Sequence, residues 1–243
     1  VAGTNALTFI TCTGGTSAGN LTLVENNTFT NLSVNTTGAV TFISHGYSVA
    51  SSGVQTINNN SIATGFTKTG ASGNIVCMTS GTSSAANSTI NHTNNNFSNI
   101  TCPTAANSIA ITGISNSDGA TSPFPIKTIT GNVFNNWNAQ TTGTGALVGM
   151  TYSYIGNGTN ISNNTVTALT GGAAITGITV TATGTLATNN LSLSNNIINN
   201  LTSAGTGGNV IGLSCSNTGV ITIGAHTINN LTSSAASASV TGM

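Results

Sequence analysis

Charge is nearly missing from this sequence. Among 243 residues only Glu25, Lys68, Asp118 and Lys127 carry a formal charge, and arginine does not occur. A globular surface is ordinarily about a quarter charged, so Asn, Thr, Ser, Gly and Ala must form this one. Phosphate backbones and anionic membrane surfaces are bound by clusters of Lys or Arg, so nucleic acid and the membrane surface are excluded as partners. No apolar run nears the roughly 20 residues that cross a bilayer as a helix, so no membrane insertion is expected. A disordered polar tract lacks branched apolar residues, whereas Ile, Val and Leu recur throughout this chain. A narrow core is therefore expected.

What is present is a repeat. "LVENNTFTNLS" from Leu23 returns as "TINNNSIATGFT" from Thr56, "NHTNNNFSNIT" from Asn91 and "TITGNVFNNWN" from Thr128. It continues as "NISNNTVTALT" from Asn160, "SLSNNIINNLT" from Ser192 and "TIGAHTINNLT" from Thr222. An Asn column runs through Asn27, Asn60, Asn95, Asn132, Asn164 and Asn196, with His226 in the seventh copy. One apolar column is Phe29, Ile62, Phe97, Phe134, Val166, Ile198 and Ile228. Another is Leu32, Phe66, Ile100, Trp137, Leu169, Leu201 and Leu231, where Phe66 needs one inserted residue. Between the copies lies a second motif, exemplified by "VTFIS" at Val40, "LVGMT" at Leu147 and "VIGLS" at Val210.

A fixed period of this size marks a stacked array. Period-two alternation with Thr and β-branched residues reads as short strands, and Asn, Thr and Gly disfavour helices. Such strands are stable only when each pairs with its equivalent in the next unit. The expected fold is all-β: a right-handed parallel β-helix, or β-solenoid, with three strands per turn and about seven turns of 30–37 residues. Residues 1–243 read as a single array, and its similar first and last phases suggest a segment of a longer chain. Asn tolerates the left-handed conformation, and stacked amides can bond to one another. The Asn column is therefore expected to turn a corner and to form a ladder. The column Ser33, Thr67, Thr101, Asn138, Thr170, Thr202 and Thr232 is expected to assist at such a corner.

Repeats of this "NN-x-I-x-N-L-T…G-N-V-x-G-I" kind resemble those of very large secreted and cell-surface β-helix proteins of gram-negative bacteria that use a type IX secretion route. The resemblance implies an extracellular adhesin, surface-layer or matrix role.

Catalytic groups are hard to find. Glycoside hydrolysis needs paired carboxylates, and Glu25 and Asp118 lie nearly three repeats apart. His92 and His226 read as substitutions within columns and His45 as a loop residue, so neither a metal nor another cofactor is expected. Cys12 and Cys215 share a column six turns apart, beyond disulfide reach; Cys77 and Cys102 belong to one unit. All four are expected to be small apolar packing residues. Tyr47, Tyr152 and Tyr154 are the candidates for an exposed sugar-stacking surface. The expected function is non-enzymatic: a structural rod or stalk, partnered end-to-end by itself or by flanking repeats, with surface glycans as possible ligands. Ice binding through Thr11/Thr13, Ser44/Gly46, Thr79/Gly81, Ser115/Ser117, Thr151/Ser153, Thr179/Thr181 and Ser214/Ser216 is the alternative, as is carbohydrate binding.

Overall fold

Each turn of the chain is built from three extended runs whose side chains alternate between core and solvent. A computed structural model describes residues 3–15, 19–81, 84, 87–119, 124–181, 190–205, 208–216 and 219–243. Equivalent runs from successive turns pair in parallel and in register, giving three sheets that wrap one core. The first sheet has eight strands, from Leu7–Gly15 through Val40–Ser48 and Leu147–Ser153 to Val240–Thr241. The second and third have seven each, beginning at Leu21–Glu25 and Leu32–Val34 and ending at Val220–Gly224 and Thr227–Ser233. The protein is a parallel β-solenoid, and no helix occurs among the described residues.

The register of the first sheet steps through Leu7, Val40, Ile75, Ile111, Leu147, Ile175, Val210 and Val240. At about 4.8 Å per strand, its seven intervals make a rod about 34 Å long. Most intervals match the repeat length read from the sequence. From Leu147 to Ile175 the step shortens to 28 residues, which trims a corner and leaves the strands intact.

The core changes along the axis. Phe9, Phe29, Phe42, Phe66, Phe97, Phe134 and Trp137 form a chain of ring contacts, for example Phe42–Phe66 at 5.0 Å and Phe134–Trp137 at 5.7 Å. Trp137 donates its ring N–H to the Phe97 carbonyl at 2.7 Å, which leaves no buried donor open there. Beyond Trp137 the same columns are aliphatic: Val166, Ile198 and Ile228, and Leu169, Leu201 and Leu231. Of the expected core positions, Ile62, Phe97, Ile100, Val166, Leu169, Ile198 and Leu201 are buried, while Leu32, Ile228 and Leu231, in the outermost turns, are only partly covered. The insertion before Phe66 is absorbed at Thr64 and Gly65, and Phe66 still pairs with Leu32 and Ile100.

Two expectations about local structure are corrected. The Ser33-to-Thr232 column lies on the outward face of the third sheet, within its strands, and closes no corner. Its position follows from alternation, since each member succeeds an inward apolar residue. His45 is also not in a loop. It sits inside the strand Val40–Ser48, at an inward position, and is 1% exposed.

Candidate functional site: polar corners of the solenoid

Bending the backbone between sheets strands N–H and C=O groups that must find partners when buried. The corner between the second and third sheets uses the paired Asn residues, and the two members of each pair do different work. The left-handed residue is the first: Asn26, Asn59, Asn94, Asn163 and Asn195 have φ of 53–59°, with Gly131 at 70°. One such residue shifts the side-chain alternation, so Glu25 and Asn26 both face outward and the second Asn points into the corner. The expectation that one column does both jobs is therefore corrected.

The inward column is Asn27, Asn60, Asn95, Asn132, Asn164 and Asn196. From Asn27 to Asn164 each Nδ2 donates to the Oδ1 of the next turn at 2.8–3.0 Å. That same Oδ1 also accepts the backbone N–H of the preceding Asn. From Asn60 onward the second Nδ2 proton goes back to a strand carbonyl one turn behind, as from Asn132 to His92 O at 2.8 Å. The interior amides are thus fully used. At the end of the column Asn196 N–H is accepted by His226 Nδ1 at 3.2 Å, and the His226 Nε2 finds no partner.

A second left-handed column was not expected from the sequence. It consists of Asn31, Gly65, Asn99, Asn136, Ala168, Asn200 and Asn230, with φ between 49° and 88°. Five Asn and one Gly in seven equivalent places were the signal for it. Here the exposed amides bond only in part, as Asn136 to Asn99 at 2.8 Å and Asn230 to Asn200 at 3.1 Å.

The corner from the third sheet back to the first uses a cation. Lys68 is buried and donates to the carbonyls of Thr36 and, at 2.5 Å, Ser72. Burial lowers its pKa from the usual 10.5.

The corner between the first and second sheets holds most of the chain's remaining ionisable chemistry. The inward column of the first sheet reads Cys12, His45, Ser80, Asn116, Tyr152, Val180, Cys215. Tyr152 OH donates to His92 Nδ1 at 3.0 Å, and His92 Nε2–H to Gln55 Oε1 at 3.0 Å. The Gln55 amide then donates to His45 Nδ1 at 2.6 Å and to Ser80 Oγ at 3.0 Å. Ser80 donates to Asp118 Oδ2, which also accepts Asn116 Nδ2 at 2.8 Å. Lys127 closes the set, donating to Asn116 Oδ1 at 2.5 Å, Ser153 O at 2.5 Å and Asp118 O at 3.0 Å. The Gln55 amide can donate to His45 Nδ1 only if that ring is neutral with its proton on Nε2, and burial favours the same neutral form at His92. His45 Nε2 has no partner.

His45, Gln55, Ser80, His92, Asn116, Asp118, Lys127 and Tyr152 are each 1% exposed or less. Desolvation therefore dominates the titration of His45, His92 and Lys127. It lowers the pKa of His92 strongly, with the charges of Lys127 and His45 adding to the effect. His45 is lowered too, although Asp118 opposes the shift. Burial brings Lys127 down to about 7 despite the opposing carboxylate.

A pH prediction follows. The folded chain binds protons at His45, His92 and His226 less readily than the unfolded chain, whose histidines titrate near 6.5. Between those values the unfolded state holds more protons, so stability falls as pH drops below about 6.5. Urea midpoints are expected to decline from pH 7.5 to pH 5, and the decline should shrink in His92→Gln. An unchanged midpoint would contradict the neutral assignment.

Tyr152 is wholly buried and offers no ring to a sugar; Tyr47 and Tyr154 are half-buried, the latter against Phe124 at 5.6 Å. His45 and His92, read from the sequence as a loop residue and a column substitution, are gathered by Gln55 into one network. No group of three or more metal-ligating side chains occurs among the described residues. The four cysteines are free, Cys77 and Cys102 in the core, and burial pushes the Cys102 thiol up to about 12. Two shallow grooves of about 430 Å³ lie outside. One is floored by Thr141–Thr144 and Gly172–Ala174, the other by the hydroxyls and amides around Asn31, Thr67 and Asn99. Neither contains a charged residue.

No family model, curated protein or solved structure matches this chain. Its function has to be argued from its own geometry.

Proposed function

We propose that the chain is a non-enzymatic extracellular rod, a solenoid segment that serves as a fibre or stalk in surface adhesion or matrix. The observation that carries this reading is the unbroken ladder. Backbone pairing and the Asn27-to-Asn196 amide column run from one turn to the next without a gap, so the repeated chemistry builds length. The carboxylates support the absence of catalysis: Glu25 faces outward in the first turn, and Asp118 is 0% exposed. The Asn/Thr/Ser surface, nearly free of charge, supports a place outside the cell, in keeping with the resemblance to secreted β-helix repeats.

The last turn leaves apolar side chains open, Ile223, in the column of the buried Leu193, at 42% and Met243 at 65%. In this reading they are covered by further turns, from flanking repeats or from another copy added end-to-end. Immunogold labelling of intact source cells is expected to mark elongated surface structures. Label that appears only after lysis would sink the proposal. For the purified chain, negative-stain images should show rods whose lengths are multiples of about 34 Å. Ile223→Lys, which puts a charge on one outer turn, should shorten them.

The Ser/Thr column of the first sheet favours ice binding only weakly. Thr11, Ser44, Thr79, Ser115, Thr151, Thr179 and Ser214 are in register, but the neighbouring row is broken by Gly46 and Gly81.

A further inference from the structure

Two of the four charged residues of the chain, Asp118 and Lys127, meet inside one corner with the side-chain amide of Asn116 between them. Lys127 Nζ lies 2.5 Å from Asn116 Oδ1. Because a carbonyl bond is only about 1.23 Å long, Nζ is within about 3.7 Å of the amide carbon, near the separation of a reactive pair. On the other side of the same amide, Nδ2 rests 2.8 Å from Asp118 Oδ2. All three side chains are 1% exposed or less, and Ser80 and Ser153 hold the carboxylate and the amine in place. An amine, a carboxamide and a carboxyl group thus stand in the order that acyl transfer needs, in a site without bulk water.

From this geometry we infer that Lys127 and Asn116 join spontaneously in an intramolecular amide bond, with Asp118 as the proton carrier. The balance is complete without any co-reactant. Lys127 first yields one proton to the Asp118 carboxylate and becomes an amine. Its Nζ attacks Asn116 Cγ, the Nζ–Cγ bond forms and the Cγ–Nδ2 bond breaks. Asp118 passes its proton to Nδ2, which leaves as ammonia, and takes up the proton that Nζ sheds. The carbonyl oxygen stays on Cγ throughout, and nothing is oxidised or reduced.

The surroundings favour the reactive proton state. Burial has already brought the Lys127 amine to about 7, so a large fraction is neutral at physiological pH. The product amide would remove a buried charge, which a low-dielectric interior disfavours. It would also tie the end of the strand Ile111–Asn116 to the strand Ile126–Thr130, across the connection between the first and second sheets.

The alternative is an ammonium held by three acceptors, Asn116 Oδ1, Ser153 O and Asp118 O, with no bond formed. Mass spectrometry separates the two. The intact purified chain is expected to be lighter than its sequence by one ammonia. Trypsin supplies a second reading, because Lys68 and Lys127 are the only cleavage sites. After denaturation the linked chain should give two fragments, and an unlinked chain three. A branched peptide containing Asn116 and Lys127 should appear in a chymotryptic digest. Lys127→Met and Asp118→Asn should both recover the mass of their own sequences. The wild-type digest decides the matter even if either variant fails to fold. Full sequence mass with three tryptic fragments overturns the inference, as does ammonia loss mapped to a succinimide at Asn157–Gly158.

Discussion

Asn132→Ala is expected to lower stability by about 4 kcal/mol or more, because it orphans several buried groups at about 1–3 kcal/mol each. Asn95 N–H and Nδ2 lose the oxygen they share, at 3.1 and 3.0 Å, and Asn164 Oδ1 and His92 O each lose a donor, at 2.9 and 2.8 Å. Water cannot replace the missing amide, since the whole column from Asn60 to Asn196 is 0% exposed. A stacked array depends on nearest-neighbour interfaces, so a defect in the fourth copy weakens both halves at once. Asn27→Ala, in the first copy, should cost less, because its Oδ1 accepts from no preceding ladder Asn. Asn132→Asp sharpens the comparison. It keeps the acceptor for Asn95 but turns the donor toward Asn164 into a second acceptor, so it should also destabilise, and more at high pH than at low. Urea unfolding followed by circular dichroism measures all three. If Asn132→Ala stays within 1 kcal/mol of wild type, the ladder is not what holds this corner.

Gly149→Val should rank beside it. In the first sheet one residue of each strand falls between paired positions, so two successive side chains turn inward, as Cys77 and Met78 do. In the middle and later turns this place is glycine: Gly113, Gly149, Gly177 and Gly212. A Cβ on Gly149 would lie 2.5 Å from Gly177 O and 2.8 Å from both methyls of Val166. The first neighbour is backbone of the adjacent turn and cannot rotate away. Overfilling a packed core costs about 1–3 kcal/mol, and a clash with the ladder backbone places this case at or above the upper limit. The proper control is Gly46→Ala on the same sheet. Its Cβ would meet only Cys12 O at 3.6 Å, and the change should stay within about 0.5 kcal/mol. Equal midpoints for Gly149→Val and wild type would mean that the sheets can separate locally at no cost.

The earlier turns show why glycine is needed only later. Phe42 and Cys77 occupy the same place in their strands, and Phe42 contributes to the aromatic core with Phe29, Phe66 and Phe97. Further along, Phe134, Val166 and Ile198 reach into the space instead, close to the glycines. Bulk is supplied from the first sheet at one end and from the third sheet toward the other.

By itself the sequence determined the solenoid, the existence of an Asn column at a corner and the apolar columns. Those features repeat at equivalent positions, and a residue in a parallel stack meets its own counterpart in the next turn, so periodicity already implies the contact. It also contained the signal for the second left-handed column, in Asn31, Asn99, Asn136, Asn200 and Asn230, without saying which Asn of a pair turns and which points inward. That division depends on φ. The corner network was decided only by the tertiary structure. His45, Gln55, Ser80, His92, Asn116, Asp118, Lys127 and Tyr152 each occur once in their columns, so each looks like an isolated substitution. They become partners because two sheets meet at an angle there and long side chains reach across turns, as Tyr152 does to His92. Repetition makes a contact legible along the axis of the rod, but contacts across a corner depend on where the sheets converge.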